Sequence, residues 1–185
     1  PYAVAKAAGY NYVVNYRESY KLFASNSICF NFESPRRGET FVTRKITRAA
    51  TRIKLGLQKE LHLGNLEAKR DWQHAKDAAN AMFMIINAEQ PDDYVVANGN
   101  MKSVKEFVEL VFDKLNLNYK DYVKIDPKYF RPSEVDALCG DSSKIRNNLG
   151  WKPEYTFDNL VDEMIESDLQ IAQKELLISK SFKNT

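Results

Sequence analysis

Tyr2 and Lys6 stand four positions apart near the start of the chain, in the stretch PYAVAKAAGY. On a helix this spacing places both side chains on one face, one turn apart. A phenol is a weak base at neutral pH, but a neighbouring ammonium favours the phenolate and lowers its pKa toward the working range. The pair is therefore a candidate general base with its supporting cation, although the same spacing also occurs in helices with no catalytic role.

Three further stretches combine charged side chains with turn-forming residues. They are NFESPRRG at residues 31–38, LGNLEAKRDW at 63–72 and FRPSEVD at 130–136. These stretches supply context that the spacing of Tyr2 and Lys6 lacks when it is taken alone. Taken alone, Arg131 and Glu134 at i, i+3 are more typical of a surface ion pair.

The elements that must position these residues alternate between helices and strands. The residue patterns predict helices at 2 to about 23, 41–55, 75–87, about 142–149 and 157 to about 177. A further helix is predicted to begin at a capping box formed by Ser103 and Glu106. They predict strands at 27–32, 59–63 and 93–97, and a frayed tail at 179–185. This alternation indicates an α/β protein whose parallel sheet is incomplete within this chain.

Two smaller interpretations concern polar residues. Residues 71–74 are expected in a turn before a helix, with Asp71 holding Arg70 and His74 satisfying backbone groups. A basic stretch follows one helix face at Arg44, Arg48 and Arg52, which favours a solvated face or a subunit contact over nucleic acid, because no aromatic interleaving accompanies it.

Composition excludes several classes of protein. The chain has 185 residues, 44% of them apolar and 28% charged, with a net charge of +2, so nothing demands nucleic acid or an anionic membrane as partner. No apolar run approaches the roughly 20 residues of a membrane span, and no secretory signal is evident, which favours a cytoplasmic location. Cys29 and Cys139 are expected to be buried thiols, and with only His62 and His74 beside them no zinc ligand set is expected.

The order and spacing of NFESPRRGETFVTRKITR, LGNLEAKRDWQHAKD, YFRPSEVD and LGWKPEYTFDNLV resemble the extended short-chain dehydrogenase/reductases acting on nucleotide sugars, and among them the GDP-mannose 4,6-dehydratases. The resemblance implies the C-terminal part of a Rossmann-type doubly wound parallel sheet plus a smaller, mainly helical substrate-binding domain. It assigns 1–32 and about 75–117 to the NADP-binding part, and 33–74 and about 118–178 to the GDP-sugar part. It also implies a full-length homodimer or homotetramer.

The resemblance also implies a role for individual residues. Tyr2 is expected to be the catalytic base and Lys6 its partner, both also contacting the cofactor, with Arg37 as a further NADP contact. The expected contacts with the GDP part of GDP-mannose are Asn31, Val42 through its backbone, Lys45, Arg70, Arg131 and Glu134. The helix beginning near Phe41 would add its positive N-terminal end to this anion site.

In such an enzyme the tyrosine takes the C4 hydroxyl proton as hydride passes to NADP, water is eliminated across C5 and C6, and hydride returns to C6 to give GDP-4-keto-6-deoxymannose.

Two departures from the family pattern stand out. Phe32 replaces a histidine that contacts the cofactor, and the glycine-rich cofactor turn and the Thr-x-Glu element would both lie upstream of Tyr2. We therefore expect a truncated chain that is inactive alone. A GDP-sugar-binding remnant without catalysis and an interaction fragment without ligand remain alternatives.

Overall fold

The computed structural model describes residues 1–130 and 135–181, and within them helices alternate with short strands. The helices are α1 (Tyr2–Tyr20), α2 (Val42–Lys54), α3 (Ala75–Ile86), α4 (Val104–Lys114), α5 (Tyr119–Tyr122), α6 (Ser143–Leu149) and α7 (Phe157–Ser181), and a 3₁₀ turn lies at Pro127–Tyr129. The strands are β1 (Ser27–Cys29), β2 (Asn31–Glu33), β3 (Leu61–Leu63), β4 (Lys69–His74), β5 (Tyr94–Val96), β6 (Met101–Ser103) and β7 (Val123–Ile125).

Local sequence signals determine several helix ends. The predicted capping box at the start of α4 is confirmed, because Ser103 Oγ accepts from the Glu106 backbone N–H and the Glu106 carboxylate accepts from the Ser103 N–H. Gly56, just beyond α2, has a φ of 72°, a backbone conformation that residues with a Cβ atom rarely adopt. Helix α7 runs on to Ser181, so the tail expected from residue 179 begins inside a helix.

Parallel pairing dominates the strands. β1 pairs with β5, β2 with β4 and β3 with β7 in parallel, while β4 and β6 are antiparallel. The run 27–32, predicted as one strand, is two strands: its first half pairs with β5 and its second half with β4. At the junction the Phe30 N–H donates to the Val96 carbonyl, so the chain leaves one partner strand as it joins the next.

Strand β4 corrects the expectation of a turn at residues 71–74. Its last four residues are buried, and it lies between β2 and β6. The polar composition of KRDWQH conceals the strand, since charged residues are uncommon at central strand positions. The buried Gln73 still finds a partner for its side-chain NH₂ group, which donates to the Val96 carbonyl at 2.9 Å.

Two hydrophobic clusters hold these elements in place. In the first, α2, α4 and α7 pack around Trp72, whose ring lies 5.3 Å from that of Phe107 in an edge-to-face arrangement. The second joins α3, β5 and α6, and its members are Ala78, Ala81, Ile85, Tyr94, Val96, Ile145 and Trp151. Because α2 packs into the first cluster, its N-terminal turn is fixed relative to β4. Among the described residues no helix is both long and apolar enough to cross a bilayer.

Helix α1 is attached differently from the other long helices. None of its residues, all of which the structure describes, is buried. Its attachment is polar: both Arg17 Nη atoms donate to the Asp93 carboxylate at 2.8 Å, and that carboxylate also accepts from the backbone N–H and side-chain amide of Asn26. The guanidinium beside Asp93 holds the pKa of that carboxyl well below its usual range.

We therefore expect the attachment of α1 to depend on pH. A carboxyl with a depressed pKa contributes stability above its ordinary pKa and loses it as the pH falls through the depressed value. The protection factors of the α1 amides, which compare their exchange with that of an unfolded chain at the same pH, should be high near pH 7 and fall progressively below about pH 4. Asp93→Asn should give fast exchange already at pH 7, whereas Asp92→Asn, which removes a pairing with Lys144, should not. Equal exchange in both variants would show that the ion pair does not hold α1.

Candidate active site

The candidate base and its cation lie at the beginning of α1. Tyr2 is the first residue of the helix and is 76% exposed, and the Lys6 Nζ atom lies 5.5 Å from the centre of the Tyr2 ring. The helical spacing therefore brings the two side chains onto one face, as the sequence predicts. Their catalytic role stays a prediction. The contacts that attach α1 lie farther along it, at Arg17, so its first turn presents both groups outward.

The turn that follows β2 holds Arg37 from several directions. The Arg37 N–H donates to the Ser34 carbonyl at 2.9 Å, and the guanidinium lies over the Phe41 ring at 3.7 Å. Arg37 Nε lies 3.1 Å from Glu33 Oε2, on a carboxylate that is 2% exposed and that also accepts the Thr43 hydroxyl at 2.5 Å. Burial raises the pKa of Glu33, and the hydroxyl and the guanidinium oppose that rise.

Arg44, on α2, also binds the turn that follows β2. Its Nη1 donates to the carbonyls of Pro35 and Arg37, while its Nε and Nη2 pair with the Asp168 carboxylate of α7 at 2.8 Å. The Thr47 hydroxyl donates to the same carboxylate at 2.6 Å. Burial raises the pKa of Asp168, against the effect of these donors. One guanidinium thus connects the turn that carries Arg37 to the C-terminal helix.

Arg44, the first arginine of the basic face of α2, is not exposed to solvent. Arg44 is 5% exposed and internal. Arg48 pairs with Glu39 at 2.7 Å, and Arg52 pairs with Glu175 of α7. The spacing of the arginines is the same as predicted, but the face packs against α7 of the same chain.

Lys45 is held between two segments. Its ammonium donates to the His62 carbonyl at 2.6 Å and lies 3.8 Å from the centre of the Tyr129 ring. Burial lowers the pKa of Lys45, and the nearby Lys128 adds to the effect. Val42, the other predicted contact on α2, is the first residue of that helix, where backbone N–H groups are free to meet an anion.

Asn31 and Arg70 lie on neighbouring strands. Asn31 is opposite Trp72 in the register of β2 and β4, two residues beyond Arg70. Arg70 Nη1 donates to the carbonyls of Lys69 and Val135 at 2.7 Å, which ties β4 to the segment after residue 134. The remaining two predicted substrate contacts, at positions 131 and 134, lie outside the described residues.

The sequence suggested that Asp71 holds Arg70, but the structure gives Asp71 a different role. It is completely buried, and its carboxylate accepts three backbone N–H groups, those of Asn98 at 3.0 Å, Gly99 at 2.9 Å and Gly140 at 3.1 Å. Asp71 therefore joins β4 to two separate loops. Sequence reasoning missed this role because the partners are backbone groups far along the chain.

His74 performs the predicted backbone role and one more. Its Nδ1 accepts from the Lys76 N–H at 3.0 Å, which caps α3. Its Nε2 lies 2.6 Å from Glu163 Oε2, and its ring stacks on Tyr155 at 3.9 Å. This arrangement assigns the Nε2 proton to the imidazole, so His74 anchors α7 to β4.

The two cysteines differ from expectation in one respect. Cys29 is partly buried, and burial raises the pKa of its thiol. Cys139 is exposed, which corrects the expectation that both are buried. Cys139 precedes Gly140, whose close approach to the Ala97 side chain leaves no room for a Cβ.

The charged groups fit a dinucleotide and a nucleotide diphosphate in part. Arg37 offers a guanidinium fork of the kind that binds phosphate oxygens, and Tyr2 and Lys6 offer exposed hydroxyl and ammonium groups suited to a ribose. The seven glycines of the chain are scattered at positions 9, 38, 56, 64, 99, 140 and 150, so they form no glycine-rich phosphate turn. The chemistry of Tyr2, Lys6 and Arg37 is thus compatible with binding of a dinucleotide.

Solved structures share the fold. RMD from Pseudomonas aeruginosa complexed with NADPH superposes with a TM-score of 0.83 at 23% identity, covering 92% of this chain and 56% of that one. UDP-glucose 4-epimerase of Thermotoga maritima with UDP-glucose gives 0.80 at 20% identity, covering 92% and 54%. The chain thus shares the Rossmann-type α/β fold of these solved structures.

The sequence comparison is more specific. Residues 1–164 match the model of the GDP-mannose 4,6 dehydratase family, and the chain belongs to that family. GDP-mannose 4,6 dehydratase 2 of Arabidopsis thaliana is 56% identical over 178 residues, which are 96% of this chain and 48% of that protein. GDP-mannose 4,6-dehydratase of Vibrio cholerae is 45% identical over 205 residues, covering 96% and 55%. The resemblance is confirmed, and the chain spans about half the length of the curated relatives it matches.

Proposed function

We propose that the full-length protein containing this chain is a nucleotide-sugar dehydratase that converts GDP-mannose to GDP-4-keto-6-deoxymannose and water with NADP. The observation that carries the proposal is the exposed Tyr2–Lys6 pair at the start of α1, in a chain that belongs to the GDP-mannose 4,6 dehydratase family. Relatives of that name align with nearly all of this chain.

In the proposed mechanism each group performs one task. Tyr2 takes the proton of the C4 hydroxyl, and the Lys6 ammonium lies beside it, 5.5 Å from the centre of the ring. Lys45 and Arg70 neutralise the diphosphate of GDP, and Asn31 contributes hydrogen bonds on the neighbouring strand. Bound NADP supplies the hydride acceptor for C4 and the hydride donor for C6. The resemblance assigns the group that removes the C5 proton to a Thr-x-Glu element ahead of the tyrosine.

The choice of NADP over NAD is part of the proposal. Arg37 offers a cation to a dinucleotide phosphate, and RMD from Pseudomonas aeruginosa was solved with NADPH. The dTDP-glucose 4,6-dehydratase of Bacillus anthracis, at 24% identity and a TM-score of 0.78, was solved with NAD, so the fold accommodates either dinucleotide. The sequence resemblance favours NADP.

The proposal is tested by following one hydrogen atom. The full-length protein is incubated with NADP and GDP-mannose deuterated at C4, and the product is examined by mass spectrometry and NMR. We expect a 4-keto sugar with deuterium at C6 and no net change in NADP. Binding of GDP-mannose without conversion would overturn the activity and favour the GDP-sugar-binding alternative. An alcohol product at C4 would indicate a different reaction.

A further inference from the structure

We propose that Glu33 is a positioning residue that holds the Arg37 guanidinium toward the dinucleotide. This inference rests on the proposed function, which assigns Arg37 to the cofactor. Glu33 itself is 2% exposed, so it acts through Arg37 and does not touch the ligand.

The first argument is the placement of the carboxylate. Glu33 is the last residue of β2, opposite the buried His74 in the register with β4. A strand end that is paired with the buried strand β4 is a rigid support for a side chain in the turn that follows it. The carboxylate thus provides a fixed point from which the side chain of Arg37 is held.

The second argument is that Glu33 does not act as a simple stabilising ion. Burial raises its pKa, which means that the folded protein disfavours its charged form. A buried ion pair often stabilises a protein no more than apolar side chains of the same volume do. Stability alone therefore does not explain why a carboxylate lies at this position. A function that needs the charge gives a reason for it, and the charge faces Arg37 Nε at 3.1 Å.

The third argument is the order imposed on both partners. The Thr43 hydroxyl, in the first turn of α2, donates to Glu33 Oε2 at 2.5 Å and fixes the carboxylate. That same oxygen faces Arg37 Nε, which is buried and is not aligned for a hydrogen bond. On its other side the guanidinium lies on the Phe41 ring at 3.7 Å. With its inner edge held in this way, Arg37 loses less conformational freedom when its outer nitrogens bind a phosphate.

The test measures ligand affinities of the full-length protein by calorimetry, with NADP and GDP as separate probes. We expect Glu33→Gln to weaken NADP binding about tenfold and to change GDP binding by less than about twofold. Glutamine keeps the size of the side chain and can still accept the Thr43 hydroxyl. Glu39→Gln is the matched control, because Glu39 lies in the same loop but pairs with Arg48; it should leave both affinities unchanged.

A double-mutant cycle separates positioning from a general structural role. In the Arg37→Ala background, Glu33→Gln should produce no further loss of NADP affinity, because the group it positions is absent. Additive losses, or equal loss of NADP and GDP, would overturn the inference. If Glu33→Gln does not fold, Thr43→Val should weaken NADP binding and Thr43→Ser, which keeps the hydroxyl, should restore it; equal affinities in these two variants would also overturn it.

The cycle also distinguishes this inference from the proposed function. If Arg37→Ala leaves NADP affinity unchanged, the assignment of Arg37 to the cofactor fails, and the inference fails with it. If Arg37→Ala weakens NADP binding while Glu33→Gln does not, the cofactor assignment stands and only the positioning role is lost.

Discussion

Replacing Tyr2 with phenylalanine in the full-length protein is expected to lower kcat for 4-keto sugar formation by about 10³-fold, the range that a positioned acid–base group contributes. The ring would remain beside Lys6, but the phenolic oxygen that takes the C4 proton would be gone. Affinity for GDP-mannose should stay close to that of the unmodified protein, because the proposed contacts with GDP lie on β2, α2 and β4. The product is followed by its 4-keto group, and binding by calorimetry.

Tyr12→Phe is the matched control for this substitution. Tyr12 lies on the same helix and is 68% exposed, so it undergoes the same chemical change without a proposed role. Normal turnover by Tyr2→Phe would exclude Tyr2 as the base. A similar loss in both variants would instead indicate that the tyrosines act through the packing of α1.

The second large effect concerns stability. Asp71→Ala is expected to lower the free energy of unfolding by about 3 kcal/mol, because a buried N–H left without an acceptor costs about 1–3 kcal/mol and a partly buried one costs less. The Asp71 carboxylate accepts one buried N–H, that of Gly140, and two partly buried ones, those of Asn98 and Gly99. Urea unfolding of the full-length protein at neutral pH, followed by fluorescence and circular dichroism, gives the difference.

Asp113→Ala provides the comparison for Asp71→Ala. Asp113 is an exposed carboxylate in the last turns of α4, and its removal should change the unfolding free energy by less than about 0.5 kcal/mol. If the two variants unfolded at the same urea concentration, the three hydrogen bonds to Asp71 would not contribute to stability as the geometry indicates.

The sequence predicts the features that depend on neighbouring residues. The contact between Tyr2 and Lys6 and the capping box at Ser103 arise from spacings of four and three positions, and both are present in the structure. The long helices are likewise predicted to within a few residues, because apolar periodicity determines them directly. The resemblance adds the family, which the comparisons confirm.

The features that escape prediction depend on partners distant in the chain. Asp71 meets backbone groups 27, 28 and 69 positions away, and Arg44 meets Asp168 at a separation of 124. No local pattern encodes such pairs, so a charged residue in the interior looks the same as a charged residue on the surface. Strand β4 was missed for the same reason, since its polar side chains suggested exposure.

The several bonds made by Arg44 have a consequence for which residues the position can accept. Its flat guanidinium reaches two carbonyls of one loop and both oxygens of a carboxylate on α7 at the same time. A lysine carries the same charge, but its single nitrogen cannot meet acceptors on opposite sides. A substitution that keeps only the positive charge of Arg44 therefore would not preserve these contacts. A substitution that displaces α7 would, through Arg44, also displace the loop that carries Arg37.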